Sequence, residues 1–313
     1  MNIELILQEF ASRAADAARM HDIACEATFF KFGDNARDAA IVGDWNPCAL
    51  QLQEKLRLLL SETLAPSHRF AEGAYVRRFD LPHDIKLLVA IINQQGAEWY
   101  GTESTVAAFD FLLEQERGMF DECRSFLDIG GHQMVWASYY ALASKNACIT
   151  TVEPSLINVL IGLFNLAING VLARTTVIPF AVSIEDSGSG SDTSTMLVDF
   201  MTLPLRTRGI AQIAPNEFDF VKTDIEGYEF ELLHAPRYIA LLQASKSAHF
   251  ELHLGHLIKR NISKTDCINA LRAAGLYGHE LYSKLDMFEF LASCDKEGFF
   301  SFVLTSKASK QNF

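Results

Sequence analysis

The sequence predicts an α/β fold: a mainly parallel β-sheet with an antiparallel C-terminal edge pair, preceded by an α-rich N-terminal accessory region. Three observations predict it. From about residue 102 onward, short strand-like apolar runs alternate with helix-like segments, which implies βαβ units and a parallel sheet covered on both faces. The last two apolar runs, 276–282 and 299–305, leave no room for a crossover helix of their own, so they read as an antiparallel pair at the sheet edge. The first third lacks the alternation. These changes of texture divide the chain into an accessory or capping region, 1–101, and a sheet-forming domain, 102–313.

Each element has a local reason. Ile3, Ile6, Leu7, Phe10, Ala14 and Ala17 recur at helical spacing, with charges between them. The segment 27–32 reads as a short strand or buried loop. A second helix is better marked: Asn46 is a candidate cap, Pro47 suits a first turn, and Ala49, Leu52, Leu56, Leu59 and Leu60 share one face before Pro66 ends it. Strands are expected around 74–79 and 85–92. A helix through Phe109, Leu112, Leu113, Phe120 and Cys123 then leads into the alternating region. Its strands are expected at 125–129, 147–152, 175–180, 218–223 and 248–253, and its helices at 133–144, 155–168, 226–237 and 264–274. Ser187-Gly188-Ser189-Gly190-Ser191 reads as a solvated, flexible connection.

Composition narrows the function classes. The chain has 313 residues, 49% hydrophobic and 21% charged, which excludes a wholly disordered chain. Twenty-seven Lys and Arg face 39 Asp and Glu, a net charge of −12 with no dense basic run, so a nucleic-acid partner is not expected. The longest aliphatic stretch, Leu87-Leu88-Val89-Ala90-Ile91-Ile92, falls far short of the ~20 residues that span a bilayer. Glu4, Glu9 and Asp16 stand where a signal peptide would be basic and then apolar, and the six cysteines (25, 48, 123, 148, 267, 294) include no CxxC pair. The expectation is a cytoplasmic protein with reduced thiols.

In an open parallel sheet, ligands bind beyond the carboxyl ends of the strands. After the first strand of the alternating region comes Asp128-Ile129-Gly130-Gly131-His132-Gln133, whose paired glycines allow a tight turn and close backbone approach. It is not a dinucleotide fingerprint, because His132 and Val135 occupy the later glycine positions. The next strand ends at Glu153-Pro154, 25 positions after Asp128, where a doubly wound sheet places an acid against a ribose. Attraction of a carboxylate to a helix N-terminus explains Glu153 alone equally well. Further on stands Lys222-Thr223-Asp224-Ile225-Glu226-Gly227-Tyr228-Glu229, in which Asp224 ends a strand or caps a helix. Finally, alternation puts His249, Glu251 and His253 on one face of a strand and Phe250 and Leu252 on the other. For a strand inside a sheet, some of these residues are expected to point toward a polar cavity, while a structural role stays open for either histidine.

Together these segments resemble the FkbM-type methyltransferases, S-adenosylmethionine-dependent enzymes with the class I Rossmann-like fold. The matching residues are Asp128-Ile129-Gly130-Gly131-His132; Glu153-Pro154 with Asn158, Asn165 and Asn169; Lys222, Asp224, Glu226, Gly227 and Glu229; and Glu251 with His253. The resemblance covers roughly 100–305. It departs at His132, where asparagine is usual, at Met134, where glycine is usual, and at Thr202-Leu203-Pro204, which lacks a following aspartate. The first two departures make a less permissive turn than the family's.

The resemblance implies S-adenosylmethionine as cofactor and methyl transfer to an acceptor hydroxyl, on a small molecule or glycan. On this reading Gly130 and Gly131 admit the cofactor, with Asp128 near its amino end and His132 in the same turn. Glu153, followed by Pro154, accepts the ribose hydroxyls, and the adenine lies by Val182 and Ser183. Asp224 or His253 takes the acceptor's proton. No clear set of partner ligands accompanies Asp224, so no metal is expected. Two other classes stay open: an inactive domain that binds the cofactor or a partner, and a nicotinamide-dependent oxidoreductase.

Overall fold

The computed structural model describes residues 42–63, 70–100, 122–184, 195–198, 201–204, 207–214, 217–294 and 298–305. The helix expected within 1–20, the segment 27–32, most of the helix through Phe109 and the loop 187–191 lie outside them. In chain order the elements begin with α1 (Val42–Thr63), β1 (Phe70–Leu81), β2 (Ile85–Asn93) and α2 (Gln94–Tyr100). Then come β3 (Ser125–Ile129), α3 (Val135–Ala143), β4 (Cys148–Val152), α4 (Leu156–Ile168) and β5 (Thr175–Ile178). Four short strands follow: β6 (Ala181–Ser183), β7 (Thr195–Val198), β8 (Met201–Pro204) and β9 (Thr207–Gly209). The chain continues through α5 (Ile210–Ile213), β10 (Phe220–Thr223), α6 (Glu229–Leu232), α7 (Pro236–Ala244) and β11 (Ser247–His253). It closes with α8 (Leu254–Lys259), α9 (Lys264–Ala273), β12 (Tyr277–Glu280), α10 (Met287–Ser293) and β13 (Phe299–Thr305).

The main sheet has seven strands in the order β12-β13-β11-β10-β3-β4-β5. Pairing is parallel between β3 and β10, β10 and β11, and β4 and β5. β13 runs antiparallel to both β11 and β12. This is the mainly parallel Rossmann-like sheet with the antiparallel C-terminal pair that the sequence predicts. Strand order reverses at β3 and β10, the switch point where ligand sites lie in such sheets. Two compact units share the chain: 1–122 with 131–181 and 191–206, and 123–130 with 182–190 and 207–313.

In the first unit, β1 and β2 form a hairpin around Pro82, His83 and Asp84, the last two in the left-handed region. β2 is buried at every position except Lys86, because α1, α2, α3 and α4 pack against it. That accounts for its unbroken apolar run. α1 starts at Val42, four residues before the expected cap, and carries Pro47 inside it. The Asn46 side chain instead accepts the Val76 N–H of β1 at 2.8 Å. The unit's largest fully buried side chains are Tyr139, Tyr140 and Phe164.

In the second unit the core is aromatic. Phe126 of β3 meets Phe220 of β10 with ring centroids 5.4 Å apart, and Phe250 of β11 lies opposite Phe302 of β13. The helix expected over 226–237 is two helices, because Glu226 and Gly227 are left-handed and Pro236 opens α7 at its first turn. The described cysteines (48, 123, 148, 267 and 294) are free thiols. Among the described residues, no helix is long and apolar enough to cross a membrane.

Candidate active site

Within the second unit, the carboxyl ends of β3, β10 and β11 gather most of the chemistry the sequence singles out. Parallel register sets Lys222 beside Asp128 on β3 and beside His249 on β11. The Lys222 side chain is 1% exposed, with Nζ 3.0 Å from Asp224 Oδ2 and 3.6 Å from Asp128 Oδ1. Burial works against its charge but is outweighed by Asp224, Asp128 and Glu251, so the ammonium stays charged well above the usual lysine range. A buried lysine flanked by two aspartates is an internal counter-charge that holds both carboxylates in place.

Gly130 closes β3 at φ 85°, and a Cβ there would lie 1.6 Å from the Asp224 carbonyl oxygen. The Asp224 N–H donates to the Ile129 carbonyl at 2.9 Å. These contacts pin the residue after β10 against the end of β3.

His253 ends β11 and organises the acids around it. Its Nδ1–H donates to Glu229 Oε1 at 2.7 Å, and the same oxygen accepts the Ile225 N–H at 3.1 Å. Nε2 faces Glu226 Oε2 at 3.5 Å, Asp224 Oδ1 at 3.7 Å and Glu251 Oε2 at 3.9 Å. Glu229 is fully buried, whereas Glu226 is 63% exposed. Burial lowers the affinity of His253 for a proton, but Glu229, Asp224 and Glu226 overcome it and raise the imidazole to about 9. Burial, reinforced by Asp224, pushes the Glu251 carboxyl up to about 8. Burial also raises Glu226, while Lys222 and His253 hold Asp224 below the usual carboxylate range despite its burial. His249 is different: burial and then Lys222 push it down to about 3, so it is neutral. The alternation expected for β11 therefore delivers Glu251 and His253 to an acidic cluster and leaves His249 against the lysine.

In the first unit the turn Gly131–Met134 meets Glu153 at the end of β4. Glu153 is 5% exposed; its Oε2 accepts the His132 N–H and its Oε1 the Ser155 N–H, both at 2.8 Å. Pro154 is half-buried between Glu153 and Ser155, whose hydroxyl caps α4.

His132 and Met134 have φ 47° and 56°. Both residues thus adopt a left-handed backbone, at the steric cost that side chains incur there. Neighbouring groups hold it. Tyr100 OH lies 3.1 Å from His132 Nδ1, and Gln133 Nε2 donates to Asn93 Oδ1 at 2.8 Å. Val182 is buried and Ser183 half-buried in β6, which pairs with β9.

Sequence reasoning missed the work of two asparagines. Asn165 Oδ1 accepts the Ala90 N–H and its Nδ2 donates to the Gln133 carbonyl, each at 2.8 Å. Asn169 Oδ1 accepts the Leu88 N–H at 2.8 Å and its Nδ2 donates to the Leu88 carbonyl at 2.7 Å. Their spacing of four on one helix matches a spacing of two on a strand. That spacing is the signal that could have found them.

No family model matches the chain, and no curated protein matches it. Solved structures do show likeness. The O-methyltransferase from Bacillus cereus in complex with SAH aligns with a TM-score of 0.40 and 15% identity, over 67% of this chain and 84% of that one. The O-methyltransferase TomG from Streptomyces achromogenes, in complex with SAM, gives 0.39 and 14% over 67% and 85%. Precorrin-6y C5,15-methyltransferase from Geobacter metallireducens gives 0.37 and 10% over 66% and 89%.

Proposed function

We propose that the protein is an S-adenosylmethionine-dependent methyltransferase of the FkbM type that methylates a hydroxyl of a small-molecule or glycan acceptor. The observation that carries this reading is Glu153. It is a buried carboxylate at the carboxyl end of a parallel strand, tied to the backbone of the glycine turn, where an acid stands against a ribose in such sheets. Gly131, His132 and Pro154 shape that turn, Gly130 and Asp128 continue the main chain before it, and Val182 and Ser183 are the proposed adenine neighbours. The cofactor supplies an electrophilic methyl group on a sulfonium. The chain's part is to hold the acceptor oxygen in line and to take its proton, with Asp224 and His253 the proposed groups at that oxygen. Residues 1–101 as an accessory or capping region belong to the same proposal.

The test is calorimetry and thermal shift with S-adenosylmethionine, S-adenosylhomocysteine and NAD(H), followed by mass spectrometry of cell extract for gain of one methyl group. Glu153→Ala removes charge-assisted hydrogen bonds of about 1.5–3 kcal/mol each, so cofactor affinity falls at least about tenfold. Unchanged affinity rejects the assignment. Binding without turnover on any acceptor identifies an inactive binding domain instead, and stabilisation by NAD(H) alone identifies an oxidoreductase. Asp224→Asn suppresses turnover more than cofactor binding; equal effects on both make Asp224 structural.

A further inference from the structure

We propose that Asp224, Glu226 and His253 form a binding site for a divalent cation of the Mn2+ class at the carboxyl ends of β10 and β11. One ligand atom from each of Asp224, Glu226 and His253 lies within 4.8 Å of the other two, and His253 Nε2 is 3.5 Å from Glu226 Oε2 and 3.7 Å from Asp224 Oδ1. Ligand atoms bonded to one ion at about 2.1 Å stand ~3.0 Å apart in octahedral geometry and ~3.4 Å apart in tetrahedral geometry. Closing an octahedral site draws Nε2 about 0.5 Å toward the glutamate oxygen and about 0.7 Å toward the aspartate oxygen, a shift that side-chain rotation supplies.

The spacing is not that of a saturated salt-bridge network. In the same cluster His253 reaches Glu229 at 2.7 Å and Lys222 reaches Asp224 at 3.0 Å, so short contacts are made where they serve to orient. Each of those contacts consumes the far atom of a proposed ligand: Oδ2 of Asp224 goes to Lys222, and Nδ1–H of His253 goes to Glu229. Oδ1 of Asp224 and Nε2 of His253 remain beside Glu226 Oε2, which also lies 3.7 Å from His256 Nε2. A ligating histidine with its other nitrogen fixed by a buried carboxylate is the usual outer support of a metal site. His253 is itself 6% exposed, and among the described residues its Nε2 makes no hydrogen bond although it is aimed at both acids.

Electrostatics agree. Asp128, Asp224, Glu226, Glu229 and Glu251 surround Lys222 and His253, and the exposed His256 places its Nε2 3.7 Å from Glu226 Oε2. Glu226 stands on a left-handed residue (φ 54°) before Gly227, and Arg260 Nη1 donates to the Gly227 carbonyl at 2.6 Å. Two carboxylates favour Mg2+, Ca2+ or Mn2+, whereas imidazole favours later transition metals; Mn2+ satisfies both preferences. Three protein ligands leave positions for water and for the acceptor hydroxyl, whose acidity the ion would increase. That last role rests on the methyltransferase reading; the cation site does not.

The experiment titrates MnCl2 into the full-length chain after chelator treatment, followed by calorimetry and by the electron paramagnetic resonance of free Mn2+. One saturable site per chain is expected, with nitrogen hyperfine coupling from an imidazole in the pulsed spectrum. Glu226→Gln, whose side chain is exposed enough to leave folding intact, weakens binding about tenfold or more, and Glu229→Gln weakens it about 10–100-fold through His253. His253→Gln abolishes the nitrogen coupling, whereas Asp80→Asn, at an exposed surface pair, changes nothing. Absence of saturable binding overturns the proposal, as does binding that Glu226→Gln leaves untouched or a spectrum without nitrogen coupling. S-adenosylhomocysteine titrated into the metal-free chain separates the two readings. Cofactor binding without Mn2+ binding sinks the cation site alone, and the reverse sinks only the methyltransferase.

Discussion

Asn169→Ala removes a side chain that stands in for a neighbouring strand. In an antiparallel hairpin, alternate residues turn their N–H and C=O groups away from the partner strand. Leu88 does so, and Asn169 takes both: Oδ1 accepts its N–H at 2.8 Å, and Nδ2 donates to its carbonyl at 2.7 Å. Nδ2 also donates to the Asn165 carbonyl at 2.7 Å. Leu88 is 6% exposed, so water cannot replace the lost partners without opening the packing. Two orphaned backbone groups at about 1–3 kcal/mol each give an expected destabilisation of about 3–5 kcal/mol. That is a large share of the roughly 5–15 kcal/mol that ordinarily separates folded from unfolded chains. Denaturant unfolding reads the loss, and hydrogen exchange across 85–93 shows whether the Leu88 amide loses protection first. Asn169→Asp does not rescue, because it keeps one acceptor, loses both donated bonds and buries a charge. A loss below about 1 kcal/mol with unchanged exchange refutes the strand-substitute account.

Three further outcomes follow from the same geometry. Gly130→Ala puts a Cβ 1.6 Å from a backbone oxygen at φ 85°; it abolishes soluble folded protein or lowers stability beyond the ~1–3 kcal/mol of ordinary overpacking, as circular dichroism and denaturation would show. Asp219 is held below its ordinary value: burial acts the other way but is outweighed by the Arg124 and Ser125 N–H groups and Lys246. Its contribution is therefore present above the unfolded value near 3.8 and lost as pH falls through the folded one; Asp219→Ala costs about 2 kcal/mol at pH 7, and the gap to wild type closes in acid. Gly162→Ala brings a Cβ within 2.5 Å of Met134 Sδ, a flexible neighbour, and costs about 1–3 kcal/mol in thermal unfolding, where no change would mean the thioether simply swings aside.

The legible parts of this molecule were those with a local cause. Period-two alternation placed His249, Glu251 and His253 on one face of β11, and strand-then-glycine punctuation located the end of β3. The C-terminal pair followed from two apolar runs with no room between them for a standard crossover helix, and only the seven-residue α10 lies there. What escaped depends on partners far away in sequence. Asn165 and Asn169 look like spaced polar positions on a helix, and only Ala90 and Leu88, 75 and 81 residues upstream, show what they do. Asn46 has the residue type and position of a cap, yet a long-range N–H from Val76 takes its oxygen. The left-handed conformations of His132, Met134 and Glu226 break local preference, and tertiary contacts override such preference in just these places.

The paired glycines illustrate how one motif divides into two physical roles. Gly130 needs no ligand to explain it, because the Asp224 carbonyl occupies the space a side chain would fill. Its first consequence is to let the end of β10 close on the end of β3, which fixes the backbone that carries Asp224. Gly131 instead ties its turn to β4: its N–H donates to the Val152 carbonyl at 2.9 Å, and its carbonyl accepts the Met134 N–H at 2.7 Å. A glycine turn at a strand end is therefore evidence of close strand packing before it is evidence of a cofactor. The chemistry has to be argued from the side chains that the packing aims: Glu153 from β4, and Asp224, Glu226 and His253 from β10 and β11.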